Sequence, residues 1–307
     1  MKSVIRAALV VTLIFTAAQQ AQAQERDRRT VGIGRIFDND FLGDFQDRWR
    51  TGSYTVSIVT APGWHGKLPE SFGAIREYRL RAEVIAPSNL KNPDPADRRY
   101  AGVLSAGLHT HFRRGPAEIS VGGDLVAVGP QTGLGAFQTD IHDLLGQPSP
   151  KAATANQIGN AFHPTALAEF AFPVRMSGRI RARPFVEVQA GVETFLRVGG
   201  DFAFGAFGRD DLALRDVTTG QLYYGTHSGG PAVSFVVGGD VAKVVDSAYL
   251  PSKDGYDLTD TRARLRAGMN VQKKNFGIFY GLTWLGKEFK AQSDEQVVGS
   301  INIRLDF

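Results

Sequence analysis

From Ser300 to Phe307 the chain alternates, with Ile301, Ile303, Leu305 and Phe307 apolar and Ser300, Asn302, Arg304 and Asp306 polar. Successive side chains of a strand point to opposite faces, so this segment has one greasy face and one charged face. The same period sets Ala263, Leu265, Ala267, Met269 and Val271 against Arg262, Arg264, Arg266, Gly268, Asn270 and Gln272. An arginine row is extravagant for a soluble core, whereas a membrane barrel turns its greasy face to lipid and its charged face to a polar lumen. After the turn Lys273-Lys274-Asn275, Phe276, Ile278, Tyr280, Leu282 and Trp284 share a face, with Tyr280 and Trp284 suited to an interfacial aromatic girdle. Periodicity alone does not distinguish lipid from a water-soluble core.

Read throughout in this way, the chain has strands near residues 31–39, 51–61, 73–86, 100–112, 117–128, 164–173, 183–196, 228–238, 240–250, 262–273, 275–286 and 296–307. The expected fold is all-β: a twelve-stranded antiparallel transmembrane β-barrel with a short helix in a long extracellular loop. An even count returns the last strand to the first and leaves both termini on the periplasmic side. Residues 113–116, 174–181, 238–240 and 273–275 are then periplasmic turns, and 40–50, 87–99, 129–163, 197–227, 251–261 and 287–295 are extracellular loops. The loops 129–163 and 197–227 are much the longest, and long loops in compact folds usually carry function.

The N-terminus adds a destination. Lys2 and Arg6 precede the apolar run Ala7 to Ala18 and then the small-residue pattern Ala21-Gln22-Ala23, which reads as a signal peptide over 1–23 with the barrel over 24–307. The run is too short for a membrane anchor, because Gln19 and Gln20 interrupt it. Cleavage removes Lys2 and Arg6, so the formal charge of +4 falls to +2, too weak to argue for a nucleic-acid partner. Cysteine is absent, which excludes thiol catalysis and cysteine metal sites. A closed barrel needs no partner to cover an edge, so the chain is read as a monomer.

Candidate chemistry concentrates in the 129–163 loop, where Ala136 to Gly146 reads as a helix ended by Gly146 and Pro148. Phe137, Ile141, Leu144 and Leu145 form a stripe able to pack on the barrel wall or lipid. Gln138 and His142, four apart, project together beside it. A histidine there is a candidate general base for attack of water on an ester, and equally an ordinary solvated loop residue. His109 and His111 share a strand face at metal-binding spacing, but no carboxylate neighbour is evident in the sequence. The glycines at 129, 133 and 135 lack the lysine of a phosphate loop, and there is no Gly-x-Ser-x-Gly elbow of a serine esterase. Arg98 and Arg99, on the expected extracellular rim, are candidates for holding phosphates, or are simply solvated.

An ordered set of segments carries a family resemblance: Phe37-Asp38-Asn39-Asp40-Phe41, Asp47-Arg48 with Thr51-Gly52, Asp97-Arg98-Arg99-Tyr100-Ala101-Gly102, and Val128-Gly129-Pro130 leading to Gln138 and His142. Asn156-Gln157, Arg197 to Gly199 and Lys287-Glu288-Phe289 extend it over almost the whole chain. Together they resemble the outer-membrane lipid A 3-O-deacylases. The resemblance implies a calcium-dependent ester hydrolase in the outer membrane that releases the 3′-acyloxyacyl chain of lipopolysaccharide, with its site between the wall and a loop helix. By motif it implies a catalytic set of Asn39, Asp40, Thr51, Gln138 and His142. Within that set His142 would be the base, and Asp40 with Asn39 would be oxygen ligands for calcium. Without the family pattern, Asn39-Asp40 would read as a turn dipeptide capping a strand.

The chain departs from the family where Ala153-Thr154-Ala155 precede Asn156 and Asn160-Ala161-Phe162 follow, in place of an expected Gly-Trp and a Glu. The alternatives are a catalytically degenerate structural barrel, a channel, or a soluble periplasmic β-barrel.

Overall fold

The computed structural model describes residues 27–206, 208–226, 230–273 and 276–305, so the signal-peptide segment 1–23 and the last two residues, Asp306 and Phe307, lie outside the described residues. The strands, in chain order, are β1 (Arg29–Asn39), β2 (Trp49–Ala61), β3 (Ile75–Ala86), β4 (Ala101–Arg114), β5 (Ala117–Val128), β6 (Ala161–Ala171), β7 (Val174–Arg175), β8 (Ile180–Ala190), β9 (Glu193–Phe204), β10 (Ala213–Arg215), β11 (Leu222–Tyr224), β12 (Ala232–Ser247), β13 (Arg262–Gln272), β14 (Phe276–Leu285) and β15 (Gln296–Leu305). Leaving aside the short β7, β10 and β11, the other strands form a closed antiparallel barrel of twelve, as the alternation predicts. β1 meets β15 through Phe37 with Ile301, Asp38 with Ser300 and Asn39 with Gly299. The end of the barrel at Asn39 is called the upper rim, and the end at Arg29 the lower.

The two-residue period sorts the wall. Along β2, Tyr54 and Ile58 are exposed on the outer face while Ser53, Thr55 and Ser57 are buried on the inner one. The arginines of β13 do face the lumen, and each finds a carboxylate there: Arg262 to Glu193 at 2.8 Å, Arg264 to Asp240 at 2.9 Å, and Arg266 to Asp201 at 2.6 Å. A buried charge is tolerable only when paired, and this lumen is a lattice of such pairs. Tyr280 and Trp284 stay partly exposed on the outer face.

The expected strand count holds, but two strand boundaries compensate. Residues 183–196 are two strands, because Gly191 at φ +143° turns the chain between β8 and β9. A Cβ at Gly191 would lie 2.4 Å from the Thr165 hydroxyl, which itself accepts the Val192 N–H. Residues 228–250 hold a single long strand, β12, and the expected turn at 238–240 is mid-strand. Its glycines are spacers: a Cβ at Gly238 would lie 2.3 Å from Asp201 Oδ1, inside the lumen lattice.

The extra reversal moves the long loop after β9 to the lower rim, correcting its expected extracellular position. From there it turns up into the barrel as a hairpin of β10 and β11. Leu212, Leu214 and Tyr223 pack on Ile36, Val59 and Ile75 of the wall. Arg215 reaches Glu169 at 2.5 Å and Asp201 at 3.0 Å, Tyr223 shares a 2.9 Å hydrogen bond with Ser57, and Arg264 donates to the Val217 carbonyl at 2.9 Å. The hairpin is a plug.

Candidate active site at the upper rim

The site begins where β1 stops. Asn39 is in extended conformation, and its Oδ1 accepts the Phe41 N–H at 2.9 Å, capping a single 3-10 turn over Asp40–Leu42. That turn carries Asp40 inward until it is 1% exposed. Gly43 permits the tight packing, since a Cβ there would lie 2.1 Å from the Val297 carbonyl oxygen. At the start of β2 the register slips between Arg50 and Gly52, and Arg50 and Thr51 are both buried. Such a bulge re-aims a side chain, here Thr51. Gly52 leaves space for Asn39, whose Nδ2 would be 3.1 Å from a Cβ at that position.

The loop helix forms as expected: α1 spans Leu134–Leu145 and ends on Gly146 at φ +65°. A five-residue helix, α2 (Lys151–Ala155), follows it. Gln138 and His142 are buried on the inner face of α1, whereas Phe137, Ile141, Leu144 and Leu145 are all exposed. The helix is inside-out relative to one in a soluble protein, which suits a helix lying in lipid.

Asp47 joins the two sides. Its Oδ2 is 3.1 Å from His142 Nε2, and its Oδ1 accepts from Gln138 Nε2 at 3.5 Å and from the Thr51 hydroxyl in a short hydrogen bond. Thr51 Oγ1 is also 3.2 Å from Asp40 Oδ1. The other imidazole nitrogen, Nδ1, is 2.7 Å from the Pro148 carbonyl, which can only accept. Nδ1 therefore carries hydrogen and Nε2 is the nitrogen turned towards the Asp47 carboxylate.

Burial pushes the Asp40 carboxyl up to about 8, with Asp47 and Asp44 adding to the shift and the Arg48 N–H and the Thr51 hydroxyl opposing it. The single Thr51 hydroxyl hydrogen is within reach of both Asp40 Oδ1 and Asp47 Oδ1 and can serve only one of them at a time. Asp40 Oδ2 is held separately by the Arg48 N–H at 2.7 Å and by Gln296 Nε2 at 3.3 Å.

A sequence comparison decides the family. The model of the family described as outer membrane protein LpxR matches residues 7–307. The chain belongs to the LpxR family. This is the lipid A 3-O-deacylase family that its motifs resemble, and it makes the protein an outer-membrane barrel of a lipid A-modifying kind. Among solved structures, LpxR from Salmonella typhimurium superposes with a TM-score of 0.74 at 19% identity, covering 90% of this chain and 100% of that one. The beta domain of the Bordetella autotransporter BrkA covers 90% and 99% at 11% identity, with a TM-score of 0.48. No curated protein sequence matches.

Of the five motif residues carried over from the LpxR family, Asp40, Thr51, Gln138 and His142 form one linked group, while Asn39 stands at its edge as a cap. Asp47 and Gln296 complete the group and were missed as site residues. Asp47 was legible as part of the Asp47-Arg48 motif, whereas Gln296 had no signal, since only folding brings its carboxamide between β15 and β2.

Arg98 and Arg99 do not join the group. Arg98 is 1% exposed and ion-paired with Glu288, and Arg99 pairs with Asp254. Burial raises Glu288, but Arg50, Arg98 and Arg262 outweigh it and hold that carboxyl well below the usual range. His109 and His111 do have carboxylate neighbours, contributed by adjacent strands: Asp124 at 3.2 Å and Glu77 at 2.8 Å. These are contacts inside the lumen, and no group of three or more His, Cys, Asp or Glu side chains placed to hold a metal occurs among the described residues.

Proposed function

We propose that this chain is a lipid A deacylase, hydrolysing the ester that links the 3′-acyloxyacyl chain to lipid A in the outer leaflet. The observation that carries the proposal is the convergence of His142, Asp47, Gln138, Thr51 and Asp40 at the rim, beneath a helix whose outer face is apolar. His142 Nε2 takes a proton from water as the water oxygen attacks the ester carbonyl carbon. Asp47 Oδ2, 3.1 Å away, stabilises the imidazolium so formed. Collapse breaks the bond between the carbonyl carbon and the sugar oxygen, and Nε2 returns its proton to that leaving oxygen. The Thr51 hydroxyl and the amides of Gln138 and Asn39 are the donors available to the transient oxyanion.

The donor set fits calcium. Asp40, Asp47 and Thr51 supply oxygens, and Gln138 Oε1 is a buried carbonyl oxygen with no hydrogen-bond partner among the described residues. Calcium takes oxygen ligands and would polarise the ester carbonyl. Asp40 and Asp47 are its charged ligands in this reading, with Thr51, Gln138 and Asn39 as neutral ones. Export through cleavage after Ala23 belongs to the same proposal.

The plugged lumen supports the enzyme over the channel. The test is expression in a host without such an enzyme, followed by mass spectrometry of its lipid A. The native chain should remove the 3′ chain, and His142→Ala should leave lipid A intact. Full deacylation by His142→Ala would sink the assigned base, and intact lipid A with the native chain would favour the degenerate barrel.

A further inference from the structure

Among the described residues two that are not glycine have a left-handed backbone, Phe45 at φ +62° and Trp49 at φ +50°, and they bracket Asp47. For a bulky aromatic residue that conformation is costly and persists only where the surroundings impose it. Both lie in the segment that delivers the Asp47 carboxylate to His142 Nε2. Residues 46–48 belong to no helix or strand, and the Asp47 side chain is 35% exposed, so burial does not fix it there.

The flanks of the segment do. Before Asp47, the Asp44 and Phe45 N–H groups donate to the Asp40 carbonyl at 2.9 and 3.2 Å, while the Phe45 ring stays outside, edge-on to Phe41. After it, Trp49 is 1% exposed, its ring is covered by the Arg48 guanidinium at 4.3 Å, and its indole N–H donates to Asp97 Oδ1 at 3.2 Å. Asp97 is itself anchored. Its carboxylate accepts the Arg98 N–H at 2.7 Å and the Ser88 N–H at 2.6 Å, and its carbonyl accepts the Tyr256 hydroxyl at 3.1 Å.

We propose that Phe45 and Trp49 are positioning residues: the left-handed backbone at both, with the Trp49 indole pinned on Asp97, holds the Asp47 carboxylate against His142. The inference rests on the deacylase reading, in which His142 is the base and Asp47 its partner. Trp49 is buried behind that pair, so it acts through Asp47.

Substitutions at Phe45 separate backbone from side chain, because glycine and valine both remove the ring but only glycine accepts the left-handed turn freely. In the full-length protein, kcat on vesicle-borne lipid A should stay within about twofold in Phe45→Gly and fall about tenfold in Phe45→Val, with KM little changed in both. Trp49→Phe keeps a buried ring without the indole N–H, and should also lower kcat about tenfold. Combined with Asp47→Asn, it should add nothing to the loss that Asp47→Asn causes alone. Additive losses, or equal rates for Phe45→Gly and Phe45→Val, overturn the proposal. The NMR shifts of the His142 ring nitrogens give a reading that needs no turnover: Trp49→Phe should move them towards their values in Asp47→Asn, and unchanged shifts overturn the proposal as well. Should Trp49→Phe fail to fold, the same shifts in Phe45→Gly and Phe45→Val decide, native in the first and displaced in the second. A native chain that leaves lipid A intact sinks the deacylase reading alone, and the shifts still decide whether Asp47 is held in this way.

Discussion

Asp40 is the residue whose physics is most exposed to experiment. A buried carboxyl raised from 3.8 to about 8 binds a proton that the unfolded chain has released across most of that range. Its contribution to stability is therefore present below the unfolded value and lost as pH rises through the folded one. Without calcium, the thermal midpoint should fall between roughly pH 4 and pH 8 through this group. Calcium needs the carboxylate, so binding near neutrality should release close to one proton. Calorimetry in buffers of different ionisation heat measures that number directly. Release of none at pH 7, with calcium bound, would mean that Asp40 is already ionised or is not a ligand. Asp40→Asn should abolish the release and keep the fold, because the amide can still meet Thr51 and the Arg48 N–H.

At the scale of elements, α1 shows both what a sequence exposes and what it conceals. The spacing of Gln138 and His142 and the Gly146 stop marked the helix and put those two side chains on one face. Which face turned inward was not legible, because a stripe of Phe137, Ile141, Leu144 and Leu145 fits a wall or a lipid surface equally well. The strands tell the same story. Alternation identified most of them, but glycine misled twice, since Gly191 turns the chain and Gly238 only makes room for Asp201. Local pattern cannot separate a glycine needed for its backbone from one needed for its missing side chain. Leu144 is 80% exposed, and in a lipid-facing arrangement it is the side chain that would enter the leaflet. Leu144→Glu should lower deacylation of vesicle-borne lipid A about tenfold while the thermal midpoint holds, a charge being expensive in that layer. An unchanged rate would place that face in water.

For the whole molecule, the plug and the ion-pair lattice together occupy the lumen of the barrel. Small barrels fill with side chains and larger ones enclose water, and here arginine-carboxylate pairs occupy the lumen from the inside of the wall. The hairpin completes the filling from the lower rim, through Arg215 on Glu169 and Asp201 and through Tyr223 on Ser57. Nothing in the order of residues announced this, because an inward loop and a solvated one have similar composition until their partners on β2, β6 and β9 are known. The native protein should be silent in planar bilayers. Replacing residues 212–226 by a short flexible linker should produce stable conductance steps, since the lattice left behind is hydrated and the hydrophobic cap of Leu212 and Leu214 on Ile36 is gone. Arg215→Ala should act more mildly. It leaves Glu169 to Arg183 and Asp201 to Arg266, so it should cost less than the roughly 3–5 kcal/mol lost when a buried charge is left without any partner. Conductance of the native protein equal to that of the shortened one would mean that the hairpin does not seal the lumen, and that the barrel passes ions around it.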